Sequence, residues 1–158
     1  MKNSPSHIPP ELRKKICDAL RAVLTDGIDL HSQIKIAHWN IKGPHFAALH
    51  PLFDTFATDL AAQNDELAER ILTLGTLAVG TVRHAAKNSR LPDYPQELTR
   101  DLEHVRLLAE RIGTWLTGAR QARELAIECK DDDTMDLLTK HIQAFEKHAW
   151  FLHATLET

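Results

Sequence analysis

Apolar residues recur every three or four positions along most of the chain, which is the spacing of one face of an α-helix. The first run predicts a helix over residues 9–38, and its two leading prolines suit a first helical turn. The Gly-Pro pair at residues 43–44 breaks this pattern. A second helix is predicted over residues 50–74, and the following glycine is a plausible stop.

The second half of the chain repeats this organisation after a mixed segment. Residues 79–86 predict a short helix, and the stretch LPDYPQ cannot continue it because of its prolines. Two further helices are predicted over residues 96–130 and 134–156, and the acidic run at 131–133 ends one and can cap the other. Strand signals are absent. The sequence therefore predicts an all-α four-helix bundle with a short helix between the second and third long helices.

The 158 residues are expected to form a single domain, 1–158, with residues 1–8 as a flexible N-terminal tail. The formal net charge is −3, so the average field does not attract nucleic acid. Two distant cysteines favour a reduced, cytoplasmic protein, and no apolar run reaches the roughly 18 residues of a membrane span. No secretory signal is expected from the polar N-terminus. Ten histidines are the first indication of metal chemistry.

Two pairs of potential metal ligands lie on the second helix. His50 and Asp54 are four residues apart, as are Asp65 and Glu69, so each pair projects from one face. Eleven residues separate Asp54 from Asp65, which is three turns plus roughly 20°, so all four side chains share one stripe. Either pair alone is typical of a solvated helix face.

The length of the helix decides what this stripe can bind. Asp54 and Asp65 are roughly 16 Å apart along the axis, and His50 and Glu69 about 28 Å, whereas a metal–ligand bond is about 2 Å. One chain cannot close a single site with all four, but two copies packed antiparallel about a two-fold axis can. His38, at the end of the first helix, can reach the His50 end. Imidazoles with carboxylates suit Fe(II), Mn(II) or Zn(II).

The segment HWNIKGPHFAALHPLFD, followed by DELAER, closely resembles the signature of the Dps family of miniferritins. The resemblance covers nearly the whole chain and places all five ferroxidase ligands in register, at His38, His50, Asp54, Asp65 and Glu69. It implies a ferritin-like bundle, a homo-oligomer that is a hollow dodecamer built from two-fold dimers, and an intersubunit di-iron-type site. The expected activity is a ferroxidase that oxidises Fe(II), with hydrogen peroxide in preference to dioxygen, and stores ferric mineral, protecting DNA and the cell. No Glu-x-x-His pair of the ordinary ferritin type is present.

A few other residues acquire roles by this resemblance. Trp39 adjoins a predicted ligand and is expected to be auxiliary to the iron chemistry as well as to packing. Asp132 and Asp136 are expected to line a three-fold pore, although helix capping would also explain them. His31 is a candidate for a secondary metal contact. Pro51 directly follows His50 and favours a helix that starts, or kinks, at that point.

Two other functions remain open from the sequence. The chain could compact DNA, with iron chemistry secondary and an association with the nucleoid, but its N-terminus is short and it ends without a basic tail. We therefore expect only weak DNA binding. It could also be a helical scaffold with a vestigial metal site, although five intact ligands oppose that reading.

Overall fold

The computed structural model describes residues 4–157, which form five helices and no β-strand beyond one isolated bridge. The helices are α1 (Pro10–Asn40), α2 (Phe46–Thr73), α3 (Val82–Asn88), α4 (Asp101–Glu128) and α5 (Asp132–Leu156). The long helix α1 packs against α2 and α4, α4 packs against α5, and the short α3 lies on α1. The predicted all-α bundle with a short helix in its long connection is confirmed. Of the described helices, none combines the length and apolarity needed to cross a bilayer.

The start of α2 differs from the prediction. We expected it near His50, but it begins at Phe46, and Pro51 lies inside it. Backbone N–H groups at the start find partners in the preceding turn: that of Phe46 donates to the Gly43 carbonyl at 3.1 Å and that of Leu49 to the His45 carbonyl at 2.9 Å. A proline so near the N-terminus removes only one helical hydrogen bond, so the helix begins before it.

The start of α4 was predicted five residues too early. Lys42 pairs with the segment before the helix, because its N–H donates to the Thr99 carbonyl at 2.7 Å and its carbonyl accepts from the Asp101 N–H at 3.1 Å. The Asp101 carboxylate accepts further bonds from the backbone N–H and the ring Nδ1 of His45, both at 2.9 Å. Residues 96–97 form a turn, and these long-range contacts hold Arg100 extended, so the helix can form only after it.

The other helix ends lie close to the predicted ones. The short helix was predicted over 79–86, and α3 spans Val82–Asn88 with the Thr81 hydroxyl accepting from the His84 N–H. The acidic run does cap the last helix: the Asp131 carboxylate accepts from the Thr134 N–H at 3.1 Å. Arg70 of α2 donates to the same Asp131 carboxylate at 2.7 Å, which ties α2 to the start of α5.

One continuous apolar core lies between the long helices, and it includes part of the segment that we expected to be a tail. Residues 1–3 lie outside the described part of the chain. Ser4 donates its hydroxyl hydrogen to the Thr73 carbonyl at 2.7 Å, and Ile8 is only 4% exposed within the core. Residues 4–8 therefore pack against the bundle, because Ile8 is buried with the apolar face of α1.

A buried ion pair fixes the connection between α3 and α4 to α1. Asp26 of α1 is 1% exposed, and its carboxylate accepts from the backbone N–H of Arg90 at 2.9 Å and from the guanidinium at 2.8 and 2.6 Å. Further along, the Gln33 amide donates to the Pro92 carbonyl, and the Tyr94 hydroxyl hydrogen-bonds the buried His104 ring. The connection thus has a defined path along α1.

Candidate metal centre

The end of α1 and the start of α2 bring two histidines face to face. The rings of His38 and His50 stack with their centroids 3.8 Å apart. The Nδ1 of His38 donates to the His50 carbonyl at 2.7 Å, and the Nδ1 of His50 donates to the His38 carbonyl at 2.9 Å. Because a carbonyl only accepts, each Nδ1 carries the proton, and in the neutral ring each Nε2 keeps its lone pair. This is how proteins orient imidazoles that bind metals.

Asp54 joins the two histidines one turn further along α2. Its Oδ1 lies 4.0 Å from the His38 Nε2, so a carboxylate and an imidazole nitrogen face the same space. Lys35 of α1 also reaches this carboxylate, with Nζ at 2.6 Å from Oδ1. The hydrogen bond from the Lys35 ammonium, together with its positive charge, holds the pKa of the Asp54 carboxyl below its ordinary value.

The sequence analysis did not single out Lys35, although a signal was present. It lies three residues before His38 on the same helix, so its side chain must share that face of α1. A cation at this position stabilises the Asp54 carboxylate while no metal is bound. It would also have to give way, at least in part, when a metal ion approaches the same oxygen.

Asp65 and Glu69 lie on α2 well away from the histidines. Both side chains are exposed, and neither has a hydrogen bond or an ion pair to any other described residue. Asp65 borders a cleft of about 440 Å³ between α1, α2 and residues 78–81, and Glu69 borders one of about 330 Å³ beside the start of α5. Two carboxylates without internal partners can accept a ligand from outside the chain.

The five predicted ligands therefore form two groups. His38, His50 and Asp54 come together at one end of α2, whereas Asp65 and Glu69 lie roughly 16–22 Å further along it at 1.5 Å per residue. Within residues 4–157, no three histidine, cysteine, aspartate or glutamate side chains are grouped closely enough to hold a metal ion. A complete set of these ligands needs two chains.

Trp39 does not pack in the core of its own chain. It is 65% exposed, and the Lys35 ammonium lies 6.0 Å from its ring centroid. His31 is half-buried, and burial lowers the pKa of its imidazole, with the nearby Lys35 charge adding to this. Trp39 adjoins His38 in the sequence, and His31 lies seven residues before His38 on the same helix. The roles suggested for them by resemblance remain predictions.

The remaining candidates divide between the surface and the core. Asp132 and Asp136 are exposed at the start of α5, and the cap of that helix is Asp131. Capping does not explain this pair, although Asp132 still lies in the first turn, where the helix dipole favours a carboxylate. The pore role stays a prediction. Buried histidines form polar contacts between helices: His141 bonds Glu66 at 2.7 Å and His148 bonds Asp59 at 2.8 Å.

Comparison with known proteins agrees with this architecture. A family model described as a ferritin-like domain matches residues 17–158, so the chain is a ferritin-like protein. The DNA protection during starvation protein of Agrobacterium fabrum is 34% identical over 150 residues, which cover 95% of this chain and 93% of that protein. The chain belongs to the Dps family, the ferritin-like proteins that are named for DNA protection during starvation.

Solved structures of the family superpose closely on the chain. DpsC from Streptomyces coelicolor is 33% identical with a TM-score of 0.94, covering 99% of this chain and 92% of that one. A Dps protein from Vibrio cholerae is 29% identical with a TM-score of 0.93, covering 99% and 98%. The latter is described as a member of a broad superfamily of ferritin-like diiron-carboxylate proteins.

Proposed function

We propose that this protein is a ferroxidase whose iron site is shared between two copies of the chain. The observation that carries the proposal is the division of the ligands. Two oriented imidazoles and Asp54 lie at one end of α2, and Asp65 and Glu69, carboxylates without a partner among residues 4–157, lie at the other. Two α2 helices packed antiparallel about a two-fold axis bring unlike ends together twice. The diiron-carboxylate description of the Vibrio cholerae relative supports iron as the substrate.

The donor set suits ferrous iron and favours its oxidation. Nitrogen and oxygen ligands of this kind bind divalent iron, and three carboxylates stabilise the additional charge of the ferric product. Lys35 keeps Asp54 ionised before iron arrives, because its ammonium lies 2.6 Å from that carboxylate. Hydrogen peroxide is the preferred oxidant in our proposal. Each peroxide molecule takes one electron from each of two ferrous ions, combines with two protons and leaves as two water molecules.

Two-fold dimers would assemble further into a hollow dodecamer that stores the ferric product as mineral. Asp132 and Asp136 would line the entry pores for Fe(II). Where only one ferrous ion is bound, Trp39 would supply the second electron that peroxide needs and would be left as an indole radical. We place the protein in the cytoplasm. Removing Fe(II) and peroxide together protects DNA without contact, which is compatible with the names of the relatives.

The first test replaces the carboxylates that are distant from the histidines. Asp65→Ala and Glu69→Ala should each abolish rapid Fe(II) oxidation by peroxide, followed at the ferric absorption band, and leave the native particle mass unchanged. Assembly should persist because both side chains are exposed and neither has a hydrogen bond or ion pair to another described residue. Glu128→Ala, an exposed carboxylate at the end of α4, is the matched control and should oxidise iron normally. Loss of the oligomer in the first two variants would assign these carboxylates a structural role instead.

A complementation experiment tests whether the site is shared. His50→Ala and Asp65→Ala should each be inactive when expressed alone. In a mixed dimer, His50 of one chain meets Asp65 of the other, so one of the two sites is intact. Random mixing makes half of the dimers mixed, and co-expression should therefore restore about a quarter of normal activity. No recovery in particles shown by mass spectrometry to be mixed would contradict a shared site.

A further inference from the structure

A second polar cleft lies between α1 and the connection that leads into α4. Its volume is about 300 Å³. The residues that line it are mostly oxygen-bearing: Asp29, Ser32, Gln33, Ile36, Asp93, Tyr94 and Gln96. None of these is a predicted iron ligand. Asp29 lies nine residues before His38 on α1, roughly 13 Å along the helix axis.

Gln33 lines this cleft, and its side-chain oxygen is unsatisfied. The residue is 4% exposed, and its Nε2 donates to the Asp29 Oδ1 at 3.2 Å and to the Pro92 carbonyl at 3.1 Å. Both neighbours only accept hydrogen bonds, so they fix which end of the amide is nitrogen. The other end, Oε1, is buried and has no partner among the described residues. A buried acceptor of this kind calls for a ligand or a bound water.

The two carboxylates of the cleft also have no internal counter-charge. Asp29 accepts only the Gln33 amide, and Asp93 accepts no side-chain bond, in the part of the chain that the structure covers. Neither lies within ion-pair distance of a described lysine, arginine or histidine. Arg111 donates to the backbone carbonyl of Asp93 at 3.4 Å, not to its carboxylate, and pairs with Glu110.

We propose that this cleft binds a hard divalent cation such as Ca²⁺. Asp29, Asp93 and the Gln33 Oε1 provide two charged oxygens and one neutral oxygen, and water would fill the remaining positions. Ca²⁺ takes six to eight oxygen ligands and accepts amide oxygens, whereas imidazole and thiolate are absent from this cleft. With only two carboxylates, the dissociation constant should be on the order of 0.1–1 mM. The bound ion would hold residues 92–96 against α1.

The experiment is a calorimetric titration of the assembled, chelator-treated protein with CaCl₂ at roughly 150 mM salt. Asp29→Asn and Asp93→Asn should each weaken binding by about tenfold or abolish it. Glu97→Gln is the matched control, because Glu97 is an exposed carboxylate in the same connection that does not line the cleft. It should bind Ca²⁺ as the parent protein does. Equal binding in Asp93→Asn and Glu97→Gln, or none up to about 10 mM Ca²⁺, would overturn the proposal.

A gain-of-function variant distinguishes a cleft that binds an ion from a cleft that holds only water. Gln33→Glu places a third carboxylate in the wall without changing its size, so Ca²⁺ binding should tighten by about tenfold. The same change removes the amide donor to Asp29 and Pro92, so the variant should melt below the parent in chelator and regain its melting temperature with Ca²⁺. A variant that melts lower and is not rescued by Ca²⁺ would show that the cleft holds water alone.

Discussion

Asp26 and Arg90 form one ion pair, but removing Arg90 should lower the stability of the protein more than removing Asp26. Asp26 is 1% exposed, whereas 45% of the Arg90 side chain is exposed. In Arg90→Met the carboxylate stays buried with one remaining donor, the backbone N–H of residue 90. In Asp26→Ala the guanidinium can turn into water, and the chief loss is the partner of that N–H. The first variant should therefore be the less stable one.

The structure sets the approximate size of each loss. Leaving one charge of a buried pair uncompensated costs about 3–5 kcal/mol, and we take about 3 kcal/mol because Arg90 is half exposed. Loss of the partner of the half-buried Arg90 N–H should cost about 1–2 kcal/mol, which we expect for Asp26→Ala. For a domain of this size, 1 kcal/mol shifts the melting temperature by roughly 2–4 °C. The two variants should thus differ by roughly 2–8 °C.

Thermal unfolding at one fixed protein concentration measures this difference, because oligomerisation makes the melting temperature concentration-dependent. The decisive sample is the double variant. Removing the buried carboxylate from Arg90→Met should raise its stability to the level of Asp26→Ala. If the two losses add instead, the carboxylate is not the source of the penalty, and the reasoning is refuted.

Three further predictions concern other positions. Lys35→Met should tighten Zn(II) binding several-fold in calorimetry, because the ammonium no longer competes for Asp54. Lys140→Met removes another lysine that is paired with an α2 carboxylate and should leave Zn(II) affinity unchanged. Unchanged affinity in Lys35→Met would contradict the competition. Lys130→Gly should stabilise the protein by about 0.5–1 kcal/mol in thermal unfolding, because residue 130 has φ of 57°, and a loss of stability would oppose this. Duplex DNA should bind weakly at pH 7 and dissociate by roughly 150 mM salt in a gel-shift titration, since the net charge is −3; tight complexes there would favour DNA compaction.

The sequence predicted the helices because their apolar spacing is a local property, and it failed at ends that depend on distant residues. The start of α4 is set by the pairing of Lys42 with Thr99 and Asp101, which are almost sixty residues away. The start of α2 shows the opposite error. Pro51 was given too much weight, since a proline in the first turns of a helix leaves most of the hydrogen bonding intact.

For the candidate site, the spacing argument predicted which ligands could act together in one chain and which could not. Spacing could not predict the reciprocal hydrogen bonds of His38 and His50, because they depend on how two helices meet. Lys35 was within reach, as it shares a helical face with His38. The Gln33 cleft was not, because a buried amide oxygen without a partner is visible only once the connection is placed on α1.

Two buried histidines make stability dependent on pH through the contact between α2 and α5. His141 and His148 bond Glu66 and Asp59 through Nε2, and the Nδ1 of each ring is buried without a partner among residues 4–157. A neutral ring satisfies this arrangement, whereas a second ring proton would be buried without an acceptor. Burial accordingly lowers the pKa of both imidazoles, although the hydrogen-bonded carboxylates act in the opposite direction.

Because the unfolded chain takes up these protons near pH 6.5 and the folded chain only at lower pH, stability should be complete above about pH 7.5 and fall as the pH drops below 6.5. The slope is at most about 1.4 kcal/mol per pH unit for each histidine. Melting curves at pH 7.5 and 5.5 should show a smaller decrease for the double variant His141→Gln/His148→Gln than for the parent, since glutamine keeps a donor and does not titrate. His153→Gln, at an exposed position on α5, should behave like the parent. An equal decrease in all three proteins would mean that other groups cause the loss of stability in acid. Proton uptake by these two rings would then not differ between the folded and the unfolded chain.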